Sequence, residues 1–181
     1  MVMKTIEFEI EGICPLLMDK YIDGNNAQTG AEALKFAPQK AYRDDNGNLS
    51  IPADALKASI REAAREVGKK MEKSKRAEEV RSQIFIEPFY LSMKRKDFDL
   101  IDGRAVKRQK GKGIKTTVMT YRPLIKEWSV KGKINIVNPS IISTEHLRQC
   151  LEVAGLCKGL LGYRPEFGRF KIKKFEETEE N

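Results

Sequence analysis

Hydrophobic and polar positions alternate from the start of the chain. In KTIEFEIEG, Ile6, Phe8 and Ile10 are interleaved with Thr5, Glu7, Glu9 and Glu11, the period of a strand with one buried face, and Gly12 ends it. From Ile13 to Asn48 the period is lost, and DGNNAQTGAE and DDNGN mark turns. An irregular stretch of that length in a compact domain tends to serve a function. LSIPADALKASIREAAREVGKKMEKSKRAEEV then takes up helical spacing: Leu56, Ile60, Ala63, Ala64, Val67 and Met71 recur on one face. Pro52 and Asp54 suit its first turn. SQIFIEPFYL predicts a strand, with Pro88 marking an edge or a bend.

SMKRKDFDLIDGRAVKRQKGKG follows as a basic, glycine-containing loop or hairpin, and IKTTVMTYRPLIKEWSVKGKINIVN is β-rich with a break at Pro123. TEHLRQCLEVAGLCKGL predicts a second helix, with Thr144 as N-cap and Leu147, Leu151 and Ala154 inward. RFKIKKF is the last strand, although Phe170, Ile172 and Phe175 slip from strict alternation. EETEEN is an acidic tail expected to fray. Stripped of insertions, the order is strand, helix, strand, strand, helix, strand. That order predicts an α+β fold, a ferredoxin-like (RRM-like) βαββαβ core whose antiparallel sheet carries two helices on one face. Residues 1–181 form one domain in this reading, with an insertion at 13–48 between the first strand and the first helix, a basic hairpin or loop at 92–115 between the second and third core strands, and a tail at 176–181.

Charge sharpens the picture. The 34 Lys and Arg exceed the 26 Asp and Glu, for a net charge of +8, which suits a polyanionic partner. No apolar run is long enough to span a membrane, and the N-terminus lacks a signal peptide's apolar core, so the expected location is the cytoplasm. Cys14, Cys150 and Cys157 show no metal-ligand spacing. Cys150 and Cys157 lie seven apart on the second helix and are expected inside.

Catalytic chemistry finds little support. His146 is the single histidine and has no Ser or Cys at motif spacing. Asp97, Asp99 and Asp102 sit among Lys94, Arg95, Lys96 and Arg104, which neutralise them; only their convergence would make a metal-dependent nuclease. No catalytic residue, cofactor or metal is assigned.

Binding residues are plentiful. Lys57, Arg61, Arg65, Lys69 and Lys73 recur every four residues as a cationic stripe, with Glu62 and Glu66 alongside and Glu66 within reach of Lys70. Between Lys94 and Lys115, the cations Lys94, Arg95, Lys96, Arg104, Lys107, Arg108, Lys110 and Lys112 outnumber the aspartates, and Phe98 and Leu100 offer surface against bases. In GLLGYRPEFGRFKI the glycines leave backbone N–H groups accessible, Arg164 and Arg169 are phosphate donors, and Tyr163 is a stacking face. The plainer readings of these segments are a solvated helix face, a basic loop without a ligand, and a helix C-cap with Tyr163 in the core.

Two stretches resemble the RAMP superfamily, the repeat-associated RNA-binding proteins that form backbone subunits of CRISPR effector complexes. YRDDNGNLSIPADALKASIREAA is similar to their segment leading into the first helix, usually Ile-Pro-Gly-Ser-Ser-Leu-Lys-Gly followed closely by Arg. Ile51, Pro52, Leu56, Lys57 and Arg61 match, whereas Ala53, Asp54, Ala55 and Ala58 replace the small residues. LLGYRPEFGRFKI is similar to the C-terminal glycine-rich loop, with Gly162, Gly168 and Arg169 matching. The resemblance implies the ferredoxin-like order, a basic thumb where Lys94 to Lys115 falls, and a role in antiviral defence. Target-cleaving members place an Asp shortly before the Arg-Asp matched by Arg43 and Asp44; FAPQK has no acid there, so the resemblance implies a protein that does not cleave. RNA-processing members use a histidine that His146 does not match. The chain's length implies reduced insertions, and the departures from the motifs imply a divergent relative, of the kind carried by a phage or mobile element.

The expectation is a non-catalytic protein that binds single-stranded nucleic acid, RNA in preference to DNA. Arg43, Lys57, Arg61, Arg65, Arg169 and the 94–115 segment would contact the strand, and Gly162 to Gly168 would allow close approach. Copies would self-associate along a strand or join other ribonucleoprotein subunits. The alternative is a RAMP-derived interaction module or inhibitor whose basic face docks on protein.

Overall fold

The computed structural model describes residues 3–23, 32–67, 73–110 and 113–178. Strand β1 (Lys4–Gly12) lies inside a four-stranded sheet, between β8 (Ser129–Ile136) and β9 (Phe170–Thr178), with β4 (Ile84–Glu87) beyond β8. All three pairings are antiparallel. The alternation in KTIEFEIEG explains the position of β1: Ile6, Phe8 and Ile10 are buried, while Glu7 and Glu9 stand in register with Lys133 and Lys131 of β8. Helices α2 (Ala53–Ala64), α3 (Lys73–Gln83) and α4 (Thr144–Val153) contribute Leu56, Ile60, Val80, Leu147 and Leu151 to the core formed with the sheet. Along the chain the order is β1, then α2 and α3, then β4 and β8, then α4, then β9. The fold is mixed α and β with antiparallel sheets. Among the described residues no helix is long and apolar enough to cross a membrane.

Several local expectations change. The single long helix after Ile51 is two: α2 ends at Ala64, and α3 begins at Lys73 with Ala77 and Val80 buried. Lys69, Lys70 and Met71 lie outside the described residues. Pro88 divides the predicted strand into β4, at the sheet edge, and β5 (Tyr90–Ser92), which pairs with β3 (Ser50–Pro52). The α4 cap is Ser143, whose hydroxyl accepts the His146 N–H at 3.1 Å, in place of Thr144. After Val153 the helix widens into a π turn, Ala154–Lys158. The changed pitch rotates Cys157 to the surface while Cys150 stays buried. The slipped alternation of β9 is a register irregularity opposite Glu9 and Ile10, which lets both Ile172 and Phe175 turn inward. β9 runs on through Thr178, into the tail expected to fray.

The 13–48 stretch holds β2 (Leu16–Leu17), a short helix α1 (Ala33–Phe36) and a 3₁₀ turn (Ala37–Lys40). It is tied to a long hairpin, β6 (Leu100–Lys110) and β7 (Ile114–Ile125). β2 pairs with Ile125 and Leu124. Beside it the Arg122 Nε donates to Asp19 at 2.8 Å, and the fully buried Lys40 lies 3.5 Å from the other Asp19 oxygen. Burial, and then the Asp19 charge, raise the Tyr42 pKa next to this knot.

Candidate nucleic-acid interface

Helix α2 separates the expected binding residues into two groups. Lys57 and Arg61 flank the buried stripe on the side facing α3. Burial lowers the Lys57 pKa, and the neighbouring Arg81 and Arg61 charges add to that while Asp54 opposes it. The Arg61 Nε is buried without a hydrogen-bond partner. Arg81 is held by Glu78 through its Nε at 2.9 and 3.0 Å. Three cations therefore meet at the α2–α3 seam around one clamped carboxylate. Arg65, past the end of α2, is exposed.

Glu62 and Glu66 occupy the other flank, facing the glycine turn. Arg164 pairs with Glu62 at 3.2 Å. Glu66 pairs with Lys158, a partner other than the expected Lys70, which lies outside the described residues. The turn itself is stapled to the protein. The Gly162 N–H donates to Leu17 O at 2.9 Å, the Gly168 N–H donates to Pro15 O at 2.9 Å, and the Ser59 hydroxyl donates to Gly159 O at 2.9 Å. Gly168 has φ +76, and a Cβ there would stand 2.1 Å from Leu160 O. These N–H groups face protein carbonyls and are not presented to a ligand. The Arg169 Nε donates to Pro165 O at 2.7 Å. The glycines serve close backbone packing, Arg164 ties the turn to α2, and the Arg169 Nε braces the turn.

The hairpin segment differs. Lys94, Lys96 and Lys107 are exposed and form no ion pair among the described residues. Arg108 and Lys110 lie on β6 by backbone, and Lys112 lies outside the described residues. Arg43 is structural: its Nη1 donates to Gly47 O at 2.8 Å and Lys96 O at 2.7 Å, fastening the 44–48 turn to the loop before β6. Asp44 braces that turn, its pKa lowered by the Ser92 hydroxyl first and then by the Asn48 and Asn46 groups. Phe98 packs against the core and is not available as a wedge. Arg95 pairs with Asp99 at 3.3 Å, and Asp99 also accepts the Lys126 N–H at 2.7 Å, the largest cause of its lowered pKa. Asp102 is bound to Arg104. Among the described residues, no three acids, histidines or cysteines gather where a metal ion could sit. Burial raises the Cys150 thiol to about 11, and burial lowers the His146 pKa beside it, so this pair, 3.6 Å apart, is not an activated nucleophile.

At the hairpin root the geometry is tighter than the sequence suggested. The Arg104 guanidinium lies over Phe167 at 4.6 Å and over Tyr163 at 5.3 Å. Its Nε and Nη2 donate to Asp102 at 2.6 and 3.2 Å. Tyr163, at φ 60, is 44% exposed and meets Phe167 edge-on at 6.2 Å. Tyr163 is therefore not a core residue. Phe167 was missed by sequence reasoning; its only signal was a second ring within YRPEF.

No protein-family model and no curated protein matches the sequence. A solved structure does share its fold. A chain of the Type III-B Cmr-beta complex bound to cognate target RNA is 15% identical, with a TM-score of 0.59 over 98% of this chain and 61% of that chain. This protein thus spans under two thirds of that neighbour's length. Cmr6 from Pyrococcus furiosus is 12% identical, with a TM-score of 0.47 over 94% of this chain and 98% of that one. The neighbour at TM-score 0.59 shares the fold of this chain.

Proposed function

We propose that this protein is a non-catalytic, RAMP-like subunit that binds single-stranded RNA along its β6–β7 hairpin and the loop before it. The observation that carries this reading is the uncommitted charge of the hairpin region: Lys94, Lys96 and Lys107 are exposed and without ion pairs among the described residues. The main sheet, in the order β4-β8-β1-β9 with every pairing antiparallel, supports a ferredoxin-like core. The neighbour at TM-score 0.59 belongs to an assembly bound to RNA, which supports RNA as ligand and other ribonucleoprotein subunits as partners. Lys57 and Arg61, where the RAMP motif matches, form a second cationic contact at the α2–α3 seam. The engagement of Asp99 and Asp102 by neighbouring donors favours binding without cleavage.

Fluorescence anisotropy with labelled single-stranded RNA and DNA across a salt series tests the reading. Salt-sensitive binding, weakened by Lys94→Ala/Lys96→Ala/Lys107→Ala and by Lys57→Ala/Arg61→Ala, supports it. Absence of binding at low salt overturns it and favours a module that docks on protein.

A further inference from the structure

We infer that Arg104 is a stacking plate for one unpaired nucleobase, with Tyr163 as its exposed shoulder. This inference rests on the single-strand reading above and adds a base-dependent contact to one otherwise made by phosphates. The argument begins with what Arg104 has left to offer. Its guanidinium lies 4.6 Å from the Phe167 ring centre and 5.3 Å from that of Tyr163, two rings set nearly at right angles. The Nε and Nη2 edges are taken by Asp102, whose charge also offsets its own. A guanidinium bound in this way is a weaker phosphate anchor, because its Nε–Nη2 edge is occupied and a carboxylate already offsets its charge. Its side chain is nevertheless 36% exposed. The exposed part of the side chain is fixed in orientation by the Asp102 carboxylate and by the two rings.

Such a surface suits the π-face of a base, which stacks on guanidinium planes and aromatic rings when a strand is unpaired. Tyr163, in left-handed backbone, leaves its ring 44% exposed beside the plate.

The test compares two single-stranded RNA oligomers of equal length at fixed salt, one with bases and one with abasic ribose throughout. Wild type is expected to favour the base-bearing oligomer on the order of tenfold. Arg104→Lys, which keeps the charge and loses the plane, and Tyr163→Asn, which tolerates the left-handed backbone, should each bring that ratio towards one. The salt dependence should stay as in wild type. Tyr163→Phe keeps the ring and should retain the preference, which controls for misfolding together with thermal unfolding of each variant. A ratio unchanged in folded Arg104→Lys and Tyr163→Asn overturns the plate while leaving the single-strand reading intact. Binding of neither oligomer by wild type overturns the single-strand reading itself.

Discussion

The glycine turn and the hairpin look alike as sequence, each mixing glycine, cations and an aromatic residue within a dozen positions, yet they have opposite structures. In the turn, Arg164 faces Glu62, Arg169 faces the Pro165 carbonyl, and the N–H groups of Gly162 and Gly168 face Leu17 and Pro15. In the hairpin region, Lys94, Lys96 and Lys107 face solvent. Positive charge becomes available to a polyanion only where no carboxylate or carbonyl reaches it first, and sequence spacing alone does not report that.

The largest effect that separates the two regions should come from Gly168→Ala. A positive φ combined with a Cβ 2.1 Å from backbone predicts a loss of about 3 kcal/mol or more in denaturant unfolding. Stability within about 1 kcal/mol of wild type would show the turn to be yielding. Next, replacing Lys94, Lys96 and Lys107 together by Ala should leave stability within about 0.5 kcal/mol but flatten the salt dependence of RNA binding. The log–log slope should become shallower by about 0.7 for each phosphate that is no longer neutralised; an unchanged slope would move the interface elsewhere. Glu62→Gln should cost under about 1 kcal/mol, since its pair with Arg164 is largely exposed. By freeing Arg164 it should also steepen the salt slope slightly, and a slope that fell would contradict the account of the turn. The smallest effect is expected from Gly103→Ala in the hairpin. There a Cβ meets the Tyr121 ring at 2.8 Å, the movable end of a side chain, so unfolding should shift by no more than about 0.5 kcal/mol.

The strands were legible because period-two alternation needs no distant information: Ile6, Phe8 and Ile10 declare their face locally, and so does the end of the element at Gly12. The break between α2 and α3 was hidden because apolar spacing carries on past Ala64, through Val67 and Met71, as if one helix continued. Phe98 was misread for a related reason. An aromatic ring among charges looks exposed, but the fold of the loop before β6 turns it onto the core. Cys157 depended on helical pitch, which a π turn alters without any sequence mark. At the candidate site, the exposed lysines were legible, whereas the commitments of Arg43, Arg104 and Arg164 were not. Their partners, Lys96 O, the Phe167 ring and Glu62, are set by tertiary structure.

Glu62 and Glu66 act as resident counterions. A phosphate that approaches Arg164 or Lys158 must displace a carboxylate tethered to the same molecule, held at high effective concentration, and that exchange liberates no sodium or potassium ion into solution. The glycine turn is thereby insulated from the counterion entropy that favours polyanion binding at free cations, and the acidic flank of α2 decides which part of a basic protein behaves as basic.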